Sequence, residues 1–445
     1  MRSNEEYKRI IKLLFSSVMI FGVSAIYTFV WVCYYNRHII QVGFYRRGNW
    51  VMVLLYSVLL MFFLNTYGGF KVGYLKSGNL IYSQVLAVFF TNTITYFQIA
   101  LVDKRFVTPT YMILMTLVDI IFIIIWTLSF QMFYKWLFPP RKILLVSGER
   151  SDYNLLEKIN ARDDKYEICK VISYQIGYEN IIKVIESYDG VIIGDMPSHD
   201  RNLILKYCFQ QSIRSYSIPK ISDIILRSSD EMNLFDSPLL LSRNIGLTLE
   251  QQFLKRLLDI VVSVLGIIIC SPVFLILMIG IKLSDGGPAF YSQSRLTING
   301  KVFMIYKFRT MIQEAELESG PRLAGQRDDR ILPIGRLLRA TRLDELPQLF
   351  NILKGEMSLV GPRPERPELA EEITKEIPEF AYRLKVKAGL TGYAQIYGKY
   401  NTTSYDKLKL DLTYIRNYSF LLDLKLIIMT PKVLFMKEST EGIKL

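Results

Sequence analysis

Histidine is nearly absent from this chain of 445 residues, which holds only His38 and His199, neither of them in a motif. Imidazole acid–base chemistry and histidine metal sites are therefore poor expectations. Cysteine is as sparse: Cys33, Cys169, Cys208 and Cys270 stand far apart without CxxC spacing, which argues against a disulfide framework and against a zinc site. No GxGxxG fingerprint comes after the first strand-like run, ILLVS; the turn there reads SGERSD, Ser147 to Asp152. A cleavable leader is not expected either, because the first apolar run begins near Ile10 and outlasts a short h-region without a small-residue cleavage site. Reactive groups must be sought among carboxylates, lysines and arginines.

What the chain has in quantity is apolar length together with positive charge: a net charge of +13 and a mean hydropathy of +0.23. Nucleic-acid binders carry such charge on polar, soluble domains, so the expected partner is a membrane and not nucleic acid. Four apolar segments, Leu13 to Tyr35, Trp50 to Tyr67, Leu80 to Val102 and Tyr111 to Phe138, each approach the ~20 residues that cross a bilayer as a helix. They show little polar stripe, as spanning helices do. An even number of crossings leaves both ends on one side. Arg2, Lys8, Arg9, Lys12, Lys71, Lys76, Arg141 and Lys142 outweigh Arg37, Arg46 and Arg47, which puts that side in the cytoplasm.

Pro139-Pro140 ends the apolar block, and short β-branched runs then alternate with polar helical stretches, the βαβ pattern of a parallel sheet. Without a phosphate-binding glycine turn, a structural or regulatory role is expected of this Rossmann-like domain, and no catalysis is assigned to it. From about Thr248 the pattern changes again. KRLLD precedes an uncharged stretch, Ile260 to Ile281, with Ser271-Pro272 at its middle. Proline removes a donor there and crowds the preceding turn, so a broken helix that enters and leaves by one face is the expectation. A fifth crossing would separate every residue after Lys282 from the cytoplasm.

The chemistry concentrates in GRLLRATR and the adjoining LDELPQL, Leu343 to Leu349. Pro347 is tolerated only in a helix's first turn, so a helix is predicted from near Asp344 to about Leu353, with Gly355 as its stop. Asp344 and Glu345 would then sit at a helix amino terminus beside Arg336, Arg339 and Arg342, a setting that attracts phosphate and keeps Asp344 ionised. Such carboxylates can hold a divalent cation or attack phosphorus; the plainer alternative is that they cap a helix and pair with arginine. The strand VFMIYKF delivers Lys307 and Arg309, SLVGPRPE holds Arg363 between prolines, and AGLTGYAQIYGK is a glycine-punctuated loop ending at Lys399.

In that order, KRLLD, the apolar stretch with Ser-Pro, KFRTM, TRLDELPQLFNILKGEMSLVGPRPE, GLTGYAQIYG and YIRNYSFLLDLKLI resemble the bacterial sugar transferase family, from Leu247 to Leu445. The resemblance implies a membrane α/β protein: a four-helix transmembrane bundle (1–140), a Rossmann-like βαβ domain (141–246) and an α-rich monotopic catalytic domain (247–445) with a re-entrant helix at 257–282 that breaks at Ser271 and Pro272. It implies transfer of a sugar-1-phosphate, with hexose favoured, from a UDP-sugar to undecaprenyl phosphate at the cytoplasmic face of the bacterial inner membrane, with release of UMP and a need for Mg2+. Asp344 would be the nucleophile and Glu345 the metal ligand. Lys307, Arg309, Arg339 and Arg363 match basic positions that serve phosphates or the dyad's helix, and Asp423 matches a late acidic position whose role the sequence does not reveal. Departures are Ala388 for a usual proline, Tyr393 for a usual tryptophan and Lys399 for a usual arginine, which keeps charge but loses the bidentate fork. The spans and the βαβ domain are natural surfaces for a homo-oligomer. The reading from another class is a membrane-anchored scaffold or sensor with a degenerate transferase domain.

Overall fold

The computed structural model describes residues 4–148, 153–160, 162–242, 246–312, 328, 330–399 and 402–434. The chain forms two units, Met1–Ile218 and Pro219–Leu445.

The first unit opens with α1 (Asn4–Val30), which continues as π-helix over Trp31–Ile39, then α2 (Arg47–Tyr67), α3 (Ser77–Val102) and α4 (Thr110–Leu137). These four cover the apolar segments read from the sequence. Helix α1 packs on α2 and α4, α2 on α3, and α3 on α4. Their inner faces carry paired polar groups: the Tyr56 hydroxyl donates to Asn92 Oδ1 at 2.8 Å, and the Asn92 amide donates to Asp119 Oδ2 at 3.1 Å. Such pairs are how helices in a dry surrounding satisfy polar side chains. Among the described residues, five helices are long and apolar enough to cross a membrane: these four and a helix of the second unit, Leu249–Asp285.

The same unit continues into a parallel sheet: β1 (Arg141–Ser147), α5 (Tyr153–Asn160), β2 (Tyr166–Ser173), α6 (Tyr178–Ile185), β3 (Gly190–Ile193), α7 (Ser198–Gln210) and β4 (Arg214–Ser217). The strand order is β2-β1-β3-β4, all parallel. Side chains alternate across it: Leu144, Val146, Val191 and Ile193 bury against Ile181, Ile185 and Ile204, and Ile143, Leu145 and Ile192 against Leu155 and Ile159. Two apolar faces explain the continuous hydrophobic runs. Of the SGERSD turn, residues 149–152 lie outside the described residues.

The second unit begins with α8 (Ile221–Arg227) and a solvent-exposed hairpin, β5 (Asp230–Leu234) and β6 (Ser237–Leu241). Residues 219–241, grouped by sequence with the βαβ stretch 141–246, belong here: Ile221 and Ile224 join this unit's core, and Arg416 Nε donates to Ser228 Oγ at 2.7 Å. The long helix α9 (Leu249–Asp285) leads to the antiparallel hairpin β7 (Phe290–Leu296) and β8 (Val302–Phe308), then α10 (Pro333–Thr341) and α11 (Gln348–Lys354). After β9 (Ser358–Val360) and α12 (Pro367–Glu376), β10 (Gly389–Thr391) pairs in parallel with β9, and α13 (Tyr393–Tyr397), α14 (Ser404–Arg416) and α15 (Phe420–Leu434) complete the unit. Ile305, Ile352, Met357, Val360, Leu408 and Leu426 are central to its core.

Helix α9 corrects one expectation. The chain stays helical through Ser271 and Pro272 instead of breaking. Pro272 has no N–H for the Ile268 carbonyl one turn back, and the Ser271 hydroxyl donates to that carbonyl at 2.8 Å. The hydrogen bond that proline removes is replaced by the residue beside it.

Candidate active site

Asp344 and Glu345 stand on a 3-10 turn, Leu343–Glu345, and not in the first turn of a helix. Pro347 then caps α11, which Gly355 ends at φ 88°, a left-handed backbone that glycine adopts freely. The predicted stop is thus in place and the predicted start is late: α10 ends at Arg342 with φ 55°, so the chain turns sharply before the dyad and cannot enter a helix until Pro347.

Helix α11 is fastened to the backbone of β8 by the Asn351 side chain. Asn351 Oδ1 accepts from Tyr306 N at 2.9 Å, and its Nδ2 donates to the Met304 carbonyl at 2.7 Å, so the amide fills the place of a neighbouring strand. Lys307 comes after Phe303 and Ile305 on the inward face of β8, and its ammonium is thereby aimed at the dyad. Lys307 Nζ donates to Glu345 Oε1 at 2.9 Å, and Arg363 Nη2 donates to the same oxygen at 2.9 Å.

The two carboxylates are driven apart. Burial alone would raise Glu345, but Arg363 and Lys307 overcome it and hold this carboxyl far below the usual range. Burial first, then the charge of Glu345, raise Asp344 above the ordinary carboxylate value, against the pull of Lys307, Arg339 and Arg363. From the sequence, a helix terminus was expected to depress both. The structure reverses that for Asp344, because the side chain is desolvated and its neighbour Glu345 is an anion, and the dyad precedes α11. An anion permanently neutralised beside a carboxylate made more basic gives two groups fit for different tasks.

Arg339 on α10 is electrostatically coupled to Asp344 and donates from Nε to Thr310 Oγ1 at 2.9 Å. Arg309 is placed elsewhere: its guanidinium pairs with Asp285 and donates to the Pro288 carbonyl at 2.7 Å, clamping the end of α9 to the hairpin. Lys399 lies exposed beyond α13, its backbone N–H on Thr402 Oγ1 at 2.7 Å. Asp423 is buried, accepting from Lys255 Nζ at 2.6 Å and from the Tyr414 hydroxyl at 2.8 Å. One helical turn on from Lys255, Asp259 accepts from Ser358 Oγ at 3.0 Å and Leu359 N at 2.8 Å. Asp423 therefore anchors α9 to α14 and α15, with no place at the dyad.

Arg383 and Asp411 were not foreseen from the sequence. Arg383 donates to the Arg363 carbonyl at 2.9 Å and pairs with Asp411 at 2.8 Å, both side chains almost fully buried. They brace the proline-flanked loop from behind and so set the reach of Arg363. The only signal was a charged residue in each of two amphipathic segments, which does not name a partner.

Clustered cations attract phosphate, and a half-buried carboxylate among them has the chemistry of a nucleophile or a metal ligand; together these features make a candidate phosphate-handling site on a membrane-type α/β chain. Residues 250–437 match the bacterial sugar transferase family. A Haemophilus influenzae protein named an uncharacterized sugar transferase is 32% identical over 358 residues, 70% of this chain and 75% of that one. The chain belongs to this family. A UDP-N-acetylgalactosamine-undecaprenyl-phosphate N-acetylgalactosaminephosphotransferase of Aeromonas hydrophila is 39% identical over 185 residues, 41% of this chain and 44% of that protein. A UDP-glucose:undecaprenyl-phosphate glucose-1-phosphate transferase of Klebsiella pneumoniae is 38% identical over 221 residues, 47% of this chain and 45% of that protein. The matched segments thus span less than half the length of these last two relatives.

Proposed function

We propose that this protein transfers a hexose-1-phosphate from a UDP-hexose to undecaprenyl phosphate through a phosphosugar ester of Asp344. The observation that carries the proposal is the division of labour in the dyad: Glu345 takes both cations on Oε1, and Asp344 is left more basic than an ordinary carboxylate.

A carboxylate oxygen of Asp344 attacks the phosphorus that bears the sugar; the bond from that phosphorus to the bridging oxygen breaks, and UMP leaves with the electron pair. An oxygen of undecaprenyl phosphate then attacks the same phosphorus, the acyl phosphate bond breaks, and the Asp344 carboxylate is restored. Lys307, Arg339 and Arg363 offset the charge of the incoming diphosphate, and the buried setting keeps water from the acyl phosphate.

Mg2+ belongs to this proposal. The donor set is hard carboxylate oxygen, and Lys307 and Arg363 both approach Glu345 on Oε1, so Glu345 can offer its other oxygen to an ion whose remaining ligands are substrate phosphate and water. Bound there, the ion would polarise the phosphoryl oxygens and neutralise the leaving group.

The catalytic unit lies monotopically in the cytoplasmic leaflet of the bacterial inner membrane, with α9 re-entrant and α1–α4 spanning as a bundle. Helix α9 supports this: Lys255 and Asp259 near its start, Gly266 against Leu349 at its middle, and Phe274 and Ile281 against Phe308 and Leu338 near its end all pack within one unit. A crossing helix would carry its ends to opposite sides. The outward face, with Ile268, Ile269, Ile276 and Leu283, is exposed and apolar, as a lipid-facing surface requires.

The experiment is UMP release by the chain in nanodiscs with undecaprenyl phosphate, Mg2+ and a panel of UDP-sugars, beside Asp344→Asn. Release with UDP-glucose or UDP-galactose, its loss in the variant, and a labelled phosphosugar adduct on the wild type alone are expected. Full turnover by Asp344→Asn would remove the covalent step. Release only with an N-acetylated sugar would correct the hexose assignment. A folded chain silent with every donor would favour the scaffold reading.

A further inference from the structure

The first unit holds a cavity of about 500 Å3 between the ends of its helices and the amino edge of its sheet. Its wall includes the start of α1, the loop between α2 and α3, the end of α4, and the amino ends of β1, β2 and β4. Ligands of open parallel sheets bind at the carboxyl ends of strands. The cavity lies at the other edge, so it is not a vestige of a dinucleotide site.

Its charge is one-sided. Lys8, Lys12, Lys135, Arg141, Lys165 and Arg214 line it, and among the described residues Asp164 is the single acid in its wall. That acid is engaged by a further cation: Arg162 Nε donates to Asp164 Oδ1 at 2.7 Å and Nη2 to Oδ2 at 3.1 Å. The same guanidinium donates to the Tyr74 carbonyl, tying the sheet to the helix-connecting loop. Two ammonium groups from different parts of the unit converge on one ring: Lys12 Nζ is 4.3 Å and Lys165 Nζ 4.5 Å from the Tyr74 centroid. Lys8 Nζ is 4.8 Å from the Phe138 centroid. Gly73 shapes this wall, since a Cβ there would come within 2.7 Å of the Tyr134 ring. Burial lowers the Lys165 ammonium below the usual lysine range.

Lys12 and Lys165, drawn to one ring in a half-buried space, repel each other, and an aromatic face offsets only part of that. An anion of matching size offsets more of it. We infer that this cavity binds a phosphate-bearing ligand, its phosphate held by Lys12, Lys165 and Lys8 and its apolar or planar remainder by the rings of Tyr74, Tyr134 and Phe138. The chemistry is shared by the headgroup of an acidic phospholipid and by a soluble nucleoside monophosphate. The position at the ends of apolar helices is the level at which lipid phosphates lie, and basic pockets between such helices take acidic headgroups. The site is independent of the dyad, and its test does not depend on turnover.

The full chain is reconstituted in nanodiscs of phosphatidylcholine with or without phosphatidylglycerol, and lipid retained on the released protein is counted by native mass spectrometry. A second arm tracks thermal unfolding in phosphatidylcholine alone while UMP or inorganic phosphate is added. Retained phosphatidylglycerol, lost in Lys12→Gln/Lys165→Gln and kept in Lys12→Arg/Lys165→Arg and in Lys71→Gln, supports the site with a lipid source; the expected loss is roughly fivefold in affinity per lysine removed. A rise in unfolding temperature with UMP or phosphate, abolished by the same glutamine pair, supports it with a soluble source. Wild type that responds in neither arm overturns the inference, as does a folded glutamine variant that binds as well as wild type. Should that variant not fold, the wild-type arms alone decide.

Discussion

Lys307 and Arg363 donate to a single oxygen, Glu345 Oε1, each at 2.9 Å. Removing one leaves the other in place, so the two are not independent. Lys307→Met and Arg363→Met should each lower kcat/KM for the UDP-sugar by about tenfold or more, ~1.4 kcal/mol of transition-state stabilisation. The double variant should fall by more than the product of the two, because Glu345 is then buried without a partner. Steady-state UMP release by the four proteins of the cycle measures this.

On the proposed mechanism the acid limb of the reaction should be set by Asp344. Its folded pKa is raised by burial and by Glu345, and attack needs the ionised form, so adduct formation is complete above that pKa and is lost as pH falls through it. The limb should lie above the ordinary carboxylate range. Lys307 and Arg339 pull this pKa down, so Lys307→Met and Arg339→Leu should each move the limb to higher pH. Single-turnover UMP release from acidic to neutral pH gives the limb. A shift to lower pH in Lys307→Met would contradict the assignment.

Lys255 and Asp423 are buried together, with side chains 6% and 1% exposed. Lys255→Met strands a carboxylate in the core, at a cost of about 3–5 kcal/mol. Lys255→Met/Asp423→Leu removes both charges and should recover most of that loss. Thermal unfolding of the three proteins in one detergent orders them, and activity lost with Lys255→Met should return in part with the double variant.

Asn351 stitches α11 to β8, and Asn351→Leu leaves Tyr306 N–H and the Met304 carbonyl without their partner. Stability should fall by roughly 2–6 kcal/mol, from about 1–3 for each of the two stranded groups. The register between Lys307 and Glu345 loosens with it, so kcat should fall more than KM rises. Asn351→Asp keeps the acceptor but sets a buried carboxylate against the Met304 carbonyl and Glu356 Oε2, so it should cost at least as much as leucine.

Much of this fold can be read from the chain because its signals are local. The apolar segments α1 to α4 are long and nearly uncharged, and the alternation of Leu144 and Val146 against Ile143 and Leu145 announces a sheet covered on both faces. The dyad stood out through Pro347 and Gly355, whose backbone preferences bracket a short helix. What stayed hidden depends on distant partners. Lys255 meets Asp423 across 168 positions, and Arg383 finds Asp411 and the Arg363 carbonyl only once α14 is docked. Arg309 looked like a companion of Lys307 because they are two apart in one segment, yet it turns to Asp285 as β8 ends. The raised pKa of Asp344 comes from burial and then from Glu345 beside it, and both are properties of the folded site.

The Ser271 hydroxyl, by taking the carbonyl that Pro272 leaves, lets α9 carry a proline at its middle without losing that acceptor's partner. On either side of it, Ile260 to Pro272 and Pro272 to Ile281 make limbs of ~15–20 Å at about 1.5 Å per residue, each about half of a ~30 Å hydrocarbon core. On the re-entrant seating proposed above, neither limb would reach the far headgroups. An enzyme seated in that way would be a resident of one leaflet, and its effective concentration of lipid acceptor would be counted per area of that leaflet and not per volume of the cell.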